Sequence, residues 1–455
     1  MVQSGLDTPA TSGTSTPTGS AATSLTKAGI KHEQAARNGA GNAPLDASDI
    51  KFTYTTSPRP VPEPDSAETR AQKTCTDHMI TARYTPETGW EQPEVKPYGP
   101  LAIMPSASVL HYATECFEGL KLYRGHDNRL RLFRVAKNCQ RMRTSAARIA
   151  LPDFEPSELE KMIATLCATD GPKWLPPSRA GSFLYVRPTM IATDEALGVQ
   201  RPQEALLYVI IACFPDMSRS LATPAPPALT GGTLATKKAA LTPSAPSGLK
   251  LLASSEDTIR AWPGGFGYAK LGANYGPSLV AQGEARARGY DQVLWLFGKE
   301  SYVTEAGASN FFVVMRDVET QKLQLITAPL GEGIILEGVT RASVLQLAQE
   351  RLATQQAAGG VEPLEVVEKR FTMWDIISAL KEGRLVEAFA AGTAFFIAPV
   401  GKIQFQGKDL ELPMAGEGGE TGVYAGLIKK WLVDIMYGNV KHEWGMVIEE
   451  TGVGA

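Results

Sequence analysis

The segment GGFGYAKLGANYGPSLVAQGEARARGYDQVLWLFGKESYVTEAGASNFFVVM, residues 264–315, sets one lysine and one glutamate in tightly constrained surroundings. Gly267, Gly272, Asn274 and Gly276 flank Lys270, so the backbone there is expected to take turn conformations and to approach a ligand closely. Pro277 suits the first position of a helix, Leu279, Val280 and Ala287 are expected on its apolar face, and Gly289 is a natural stop. The apolar run 293–297 reads as a buried strand, 298–301 as a turn and 311–315 as a second strand. Glu305 is expected at the mouth of that second strand.

A cofactor that carries an aldehyde, a pyridine nitrogen and a phosphate needs an amine for its covalent link, a carboxylate against the ring nitrogen and a phosphate cradle. Lys270, aimed from irregular backbone, and Glu305 supply the first two. Taken singly, a loop lysine and a turn glutamate are ordinarily solvated surface groups. Their shared setting points instead to pyridoxal phosphate chemistry.

The segments KLGANYGP (270–277), QVLWL (292–296) and TEAGASN (304–310) resemble the core signature of branched-chain amino acid aminotransferases. These belong to the fold-type IV class of pyridoxal phosphate enzymes. FEGLK (117–121), RLFR (131–134) with Asn138 and Arg141, YVRP (185–188), LGV (197–199), GIILEGVTR (333–341) and GTA (392–394) also resemble family motifs, in the family's order. The resemblance runs from about residue 45 to about residue 449.

It implies a mixed α+β and α/β two-domain fold, similar to D-amino acid aminotransferase. A small N-terminal and a larger C-terminal domain would hold the site at their interface. The activity implied is transfer of the amino group between L-leucine, L-isoleucine or L-valine and 2-oxoglutarate, in a ping-pong cycle with pyridoxal 5′-phosphate as cofactor. By the same resemblance Lys270 and Glu305 are the catalytic pair. Tyr275 would bond the cofactor's phenolic oxygen, and Arg141 would grip the phosphate together with the Val339 and Thr340 amides and the Thr393 hydroxyl. The Ala394 amide would hold the substrate α-carboxylate, and Tyr112, Phe117 and Tyr185 would wall an apolar pocket. Arg187 with Tyr112 would accept the second carboxylate of glutamate. Leu197 and Val199 would reach in from a partner subunit, which makes a homodimer the expected assembly.

Two positions depart from the pattern: Ala308 stands where many relatives carry threonine, and Glu337 where proline is common. Positions 395–398, Phe-Phe-Ile-Ala, lack the redox CxxC that some mammalian members carry after Gly-Thr-Ala. A D-amino acid aminotransferase or an aminodeoxychorismate lyase-like enzyme would keep Lys270 and Glu305 but alter the pocket, and the 117–119, 185–187 and 392–394 motifs speak against both. Gly265-Phe-Gly267 lacks the third glycine of a dinucleotide-binding loop, so a nicotinamide oxidoreductase is not expected. A non-catalytic descendant is at odds with an intact Lys270 and Glu305.

The 455 residues, 43% hydrophobic, suffice for two domains, each with a core. A net charge of -3 offers no large basic excess for nucleic acid or an anionic membrane. The longest apolar runs, such as 206–214, are far shorter than the roughly 20 residues that span a bilayer. Small-molecule substrates are therefore the expected partners. Cys75, Cys116, Cys139, Cys167 and Cys213 show no CxxC spacing, and Cys75-x-x-His78 has no second Cys/His pair beside it to complete a ligand set, nor has His111, so neither a metal nor a disulfide framework is expected.

Residues 1–44, rich in Ser, Thr, Gly and Ala, are expected to be a disordered tail. The first arginine is Arg37, and Asp7 and Glu33 interrupt, so a cytoplasmic location is expected ahead of a mitochondrial one, which Lys27, Lys31 and Arg37 leave open. Residues 45–215 should form the small domain, the Pro/Ala/Ser-rich stretch 216–250 an interdomain linker longer than the family's, and 251–455 the cofactor-bearing domain.

Overall fold

The computed structural model describes residues 42–216, 248–354 and 357–450, so nearly all of the tail and the linker expected from the sequence lie outside the described residues. Two mixed sheets organise the rest. The first runs in the order Lys51–Phe52, Glu94–Pro97, Cys75–Thr85, Ala205–Ala212, Phe183–Ala192, Leu120–Arg124, Leu130–Phe133 and Gly445–Ile448, with Glu115–Phe117 paired to the outer end of Phe183–Ala192. Its buried strands alternate as the apolar pattern requires: in Ala205–Ala212, Ala205, Leu207, Val209 and Ile211 are buried while Leu206, Tyr208 and Ile210 are half-covered. The helices Val135–Arg148 and Pro156–Trp174 cover one face, sealed by Met142, Leu159, Met162 and Trp174.

The second sheet runs Tyr302–Ala306, Gln292–Phe297, Leu249–Ala253, Phe396–Phe405, Leu385–Gly392, Ser309–Arg316, Leu323–Thr327 and Leu364–Glu368. Tyr302–Ala306 also pairs with Ser309–Arg316, which closes the first six strands into a ring. Phe312 and Phe389 face each other across Ser309–Arg316 and Leu385–Gly392, their rings 5.0 Å apart and nearly parallel. No helix among the described residues is long and apolar enough to cross a membrane.

The two sheets are not two consecutive stretches of chain. Gly445–Ile448, placed by the sequence with the cofactor-bearing domain, pairs with Leu130–Phe133 in the first sheet. Ala269 and Leu271, on either side of the candidate lysine, likewise pack into the first core rather than the second. The reason is apolar matching: both are almost fully buried there, which a loop hanging from the second sheet would not provide.

The helix Val423–Met436 is fastened by a carboxylate instead of a side-chain cap. Glu387, 1% exposed in the strand Leu385–Gly392, accepts the Tyr424 and Ala425 amides at 3.1 and 2.7 Å. A Cβ at position 422 would stand 2.2 Å from its Oε2, so only glycine lets the helix end come this close. Burial pushes the Glu387 pKa up to about 7, against the pull of the three helix amides. A carboxyl that keeps its proton to about pH 7 when folded and to about 4.5 when unfolded gives its full contribution below 4.5 and loses it as pH rises to 7. Raising pH from 5 to 8 should therefore shift the unfolding free energy of Glu387→Gln relative to the parent in the variant's favour, by up to roughly 3 kcal/mol. Denaturant titrations of both proteins at the two pH values measure this. An equal difference at both would show that Glu387 does not titrate in the window.

Candidate active site

Lys270 is held by its backbone from both sides. Its amide donates to Ser145 Oγ at 2.8 Å, and its carbonyl accepts the Phe117 amide at 3.1 Å. With Ala269 and Leu271 turned into the core, alternation turns the Lys270 side chain the other way, where its Nζ donates to Tyr275 OH at 2.9 Å and lies 4.9 Å from the centre of the Phe117 ring. The neighbouring glycines act through closeness, not through left-handed turns: neither Gly267 nor Gly272 has a positive φ. A Cβ at Gly272 would be 1.9 Å from Glu115 Oε1, and one at Gly267 2.9 Å from the Ile334 carbonyl oxygen. The helix after Lys270, Ser278–Ala287, forms as expected, but Leu279, Val280 and Ala287 are all exposed and only Ala285 is buried.

Glu305 is not at a strand mouth. It lies within Tyr302–Ala306, 2% exposed, opposite Asn310. Its Oε1 accepts the Leu336 amide at 3.1 Å and Asn310 Nδ2 at 3.2 Å. Its Oε2 stands 2.7 Å from Arg260 Nη1 without the alignment of a hydrogen bond, so a buried lone pair is left with no donor among the described residues. Burial raises the Glu305 pKa, while Arg260, the Leu336 amide, Lys270 and Arg141 pull it down. A protonated ring nitrogen against Oε2 would supply both the missing donor and further positive charge. Tyr275, Glu305, Arg260 and Ala308 line one cavity of about 150 Å³.

Arg141, Gly338 and Val339 line a second cavity, of about 120 Å³. Helical spacing builds its small-domain side. In Val135–Arg148 the buried polar residues Asn138, Arg141 and Ser145 fall three and four apart on one stripe, while Cys139, Met142 and Ala146 form the apolar stripe beside it. Arg141 Nε and Nη2 each donate at 2.7 Å to the fully buried carboxylate of Glu118, which also accepts Asn138 Nδ2 at 2.8 Å. Burial works against the Arg141 charge, but Glu118 outweighs it and its pKa is raised. Nη1 donates to the Glu337 carbonyl, so three of the five N–H donors of a guanidinium are committed and the rest can meet an anion. Val339 and Thr340 open the helix Val339–Arg351, with Gly338 at its cap; first-turn amides have no intrahelical acceptor, which suits a phosphate.

Of the residues expected on the substrate side, the structure brings together only some. Phe117, Tyr185 and Arg187 come together: Arg187 Nη2 donates to Tyr185 OH at 2.9 Å and its guanidinium stacks 4.6 Å from the Phe117 ring centre, leaving Arg187 Nε without a partner among the described residues. A Cβ at Gly119 would be 2.0 Å from Tyr185 OH, so glycine makes room for that hydroxyl. Thr393 and Ala394 sit in the hairpin between Leu385–Gly392 and Phe396–Phe405, and the Ala394 amide donates to no group among the described residues. Tyr112 is not brought to Arg187. Its hydroxyl donates to the Leu197 carbonyl, and Tyr112, Leu197 and Val199 are 40%, 63% and 88% exposed.

Sequence reasoning missed Arg260, Glu118, Ser145 and the Asn310 amide as supports of this site. The polar stripe at 138, 141 and 145 was a usable signal; nothing local marks Arg260.

The family model for class IV amino-transferases matches residues 115–403. The chain is 43% identical over 411 residues to the cytosolic branched-chain-amino-acid aminotransferase of Saccharomyces cerevisiae, covering 90% of this chain and 99% of that protein. It is 42% identical over 398 residues to the mitochondrial one of Schizosaccharomyces pombe, covering 88% and 84%. Among solved structures it resembles the Escherichia coli branched-chain aminotransferase (TM-score 0.56, 24% identity, 82% of this chain and 98% of that one). It also resembles the Thermoproteus uzoniensis enzyme with norvaline (TM-score 0.57, 21% identity, 82% and 100%).

If Arg141 anchors the phosphate and Glu118 holds Arg141, Glu118→Gln should raise the dissociation constant for pyridoxal phosphate about tenfold or more, the scale of a hydrogen bond between charged groups. Titrating the cofactor-free protein and following the visible band measures it. An unchanged constant would remove Glu118 from the cradle.

Proposed function

The chain belongs to the class IV aminotransferase family, and from that premise we propose that it moves the amino group between branched-chain L-amino acids and 2-oxoglutarate, with pyridoxal 5′-phosphate as its cofactor. The observation that carries the chemistry is the pairing of a lysine amine on Tyr275 with a buried carboxylate whose Oε2 lacks a donor. The relatives named as branched-chain enzymes, matched over most of their length, support the substrate class.

When bound, the cofactor ring takes up the electron pair left as the substrate Cα gives up its proton. Lys270 Nζ would supply the amine of the covalent link and, once displaced by substrate, would move a proton between the substrate Cα and the cofactor C4′. Tyr275 OH, already 2.9 Å from Nζ, fixes where that amine rests. Glu305 Oε2 keeps a proton at the ring nitrogen, and Arg260 beside it favours the ionised carboxylate this requires. Arg141 and the first turn of Val339–Arg351, with Thr393, hold the phosphate. The Ala394 amide takes the α-carboxylate common to every substrate. Phe117 and Tyr185 bury the branched side chain, worth roughly 0.8 kcal/mol per CH₂. Arg187 receives the second carboxylate of 2-oxoglutarate.

We also read Leu197 and Val199 as reaching a partner's site in a homodimer, because two apolar side chains so exposed beside Tyr112 gain most when covered. Sedimentation should then give a mass of two chains, and a monomer at working concentration would end that reading.

Purified with pyridoxal phosphate, the protein should lose its visible band on adding L-leucine and regain it with 2-oxoglutarate. Lys270→Ala should do neither. Glu305→Gln should lower the rate about a hundredfold or more, while cofactor uptake falls less. If leucine leaves the parent spectrum unchanged, the substrate assignment fails, and D-amino acids and aminodeoxychorismate are the next to try.

A further inference from the structure

Lys121 is a lysine in an apolar setting. It belongs to the strand Leu120–Arg124, directly opposite Tyr185, and is 4% exposed. Its ammonium group lies between two aromatic rings, 3.8 Å from the centre of Phe183 and 4.4 Å from that of Phe396. From there Nζ donates to the Ala394 carbonyl at 3.0 Å. This bond crosses from the first sheet to the hairpin of the second, 273 residues away in the chain.

The hairpin it reaches is strained. Phe396, which pairs with Gly392 where the second strand begins, has a φ of +61°, a left-handed conformation that a bulky aromatic residue adopts only when its surroundings impose it. The Lys121 amine touches that turn twice, at the Phe396 ring and at the carbonyl of the residue whose amide is unused. Holding the Ala394 carbonyl fixes the plane of the peptide that follows, and so the orientation of Ala394 itself.

We propose that Lys121 is a positioning residue for the substrate carboxylate: from the wall that carries Tyr185 it pins the 393–395 turn so that the Ala394 amide faces the site. The inference rests on the transaminase reading above and deepens it. One side chain sets the separation between the surface that contacts the substrate side chain and the amide that takes its carboxylate. Burial pulls the amine down to about 7, with Asp216 pulling the other way, so a lysine is a poor choice for packing alone where methionine would fill the same space.

The test uses the holoenzyme and two variants, Lys121→Met and Lys121→Arg. The probe is 4-methylvaleric acid, which has a carboxylate and a branched chain but no amine. Lys121→Met should keep the visible band of the bound cofactor and the thermal stability of the parent within a few degrees, yet bind the probe about tenfold more weakly by titration of that band. KM for L-leucine and for 2-oxoglutarate should rise together by about the same factor with kcat within about threefold, since the lost contact serves ground and transition states alike. Lys121→Arg, which restores a donor on a cation, should recover most of the affinity. The proposal is overturned if Lys121→Met binds the probe as the parent does, if it loses the cofactor band or the fold, or if Lys121→Arg is no better than Met. A parent that binds the probe but transaminates no branched-chain acid sinks the functional reading alone, because the Lys121 comparison is a ratio of binding constants.

Discussion

The buried ion pair between Glu118 and Arg141 is the interaction on which the rest of the site depends. Two charges withdrawn from water cost several kcal/mol each unless their geometry and remaining hydrogen bonds are good. Here both guanidinium contacts are 2.7 Å and Asn138 completes the carboxylate. The pair ties the helix Val135–Arg148 to the Phe117–Lys121 segment. Through Ser145 on the same helix stripe it also sets the height of the Lys270 backbone. Arg141, Lys270 and Phe117 thus share one support. Removing either charge would leave the other buried without its counter-charge.

The second sheet contributes the opposite end. Closing six strands into a ring places Glu305 in a strand whose neighbours on both sides are inside the fold, so its carboxylate is almost wholly withdrawn from bulk solvent. Asn310, directly opposite, joins strand and loop: its amide donates to Glu305 and to the Leu336 carbonyl. Gly338 stays glycine for the same reason, since a Cβ there would sit 2.1 Å from Asn310 Oδ1. The loop that delivers the helix Val339–Arg351 is therefore docked on the residue that orients the Glu305 carboxylate.

Much of this was legible in the sequence wherever chemistry and local structure coincide. Lys270, Tyr275 and Glu305 occupy one short segment, and the strands around them follow from their apolar runs. What was not legible depends on long-range closure. Glu305 read as lying at the mouth of the strand 311–315, yet ring closure draws it into a strand of its own, Tyr302–Ala306. The chain's return to the first sheet at Gly445–Ile448 has no local signal, since four residues cannot declare their partner. Leu279 and Val280 looked like a core-facing stripe, but Ser278–Ala287 packs through Ala285 and the half-buried Ala281. Tyr112 was expected beside Arg187 and instead meets Leu197 at the surface, which follows if the pocket's outer wall comes from a second copy.

Among the described residues several polar groups are left incomplete: Glu305 Oε2 lacks a donor, Arg187 Nε lacks an acceptor and the Ala394 amide donates to no group. Each is buried or half-buried, and each buried group left unmatched costs on the order of 1–3 kcal/mol. An unfolded chain would solvate all three. The fold therefore holds unfavourable energy at the positions where a ring nitrogen, a second carboxylate and an α-carboxylate are expected to bind. A ligand that meets those groups relieves it only in the folded state, so cofactor and substrate should bind as parts of the structure and stabilise it by mass action. The burial that raises the Glu305 pKa is the same burial that makes a protonated ring nitrogen its natural counter-charge.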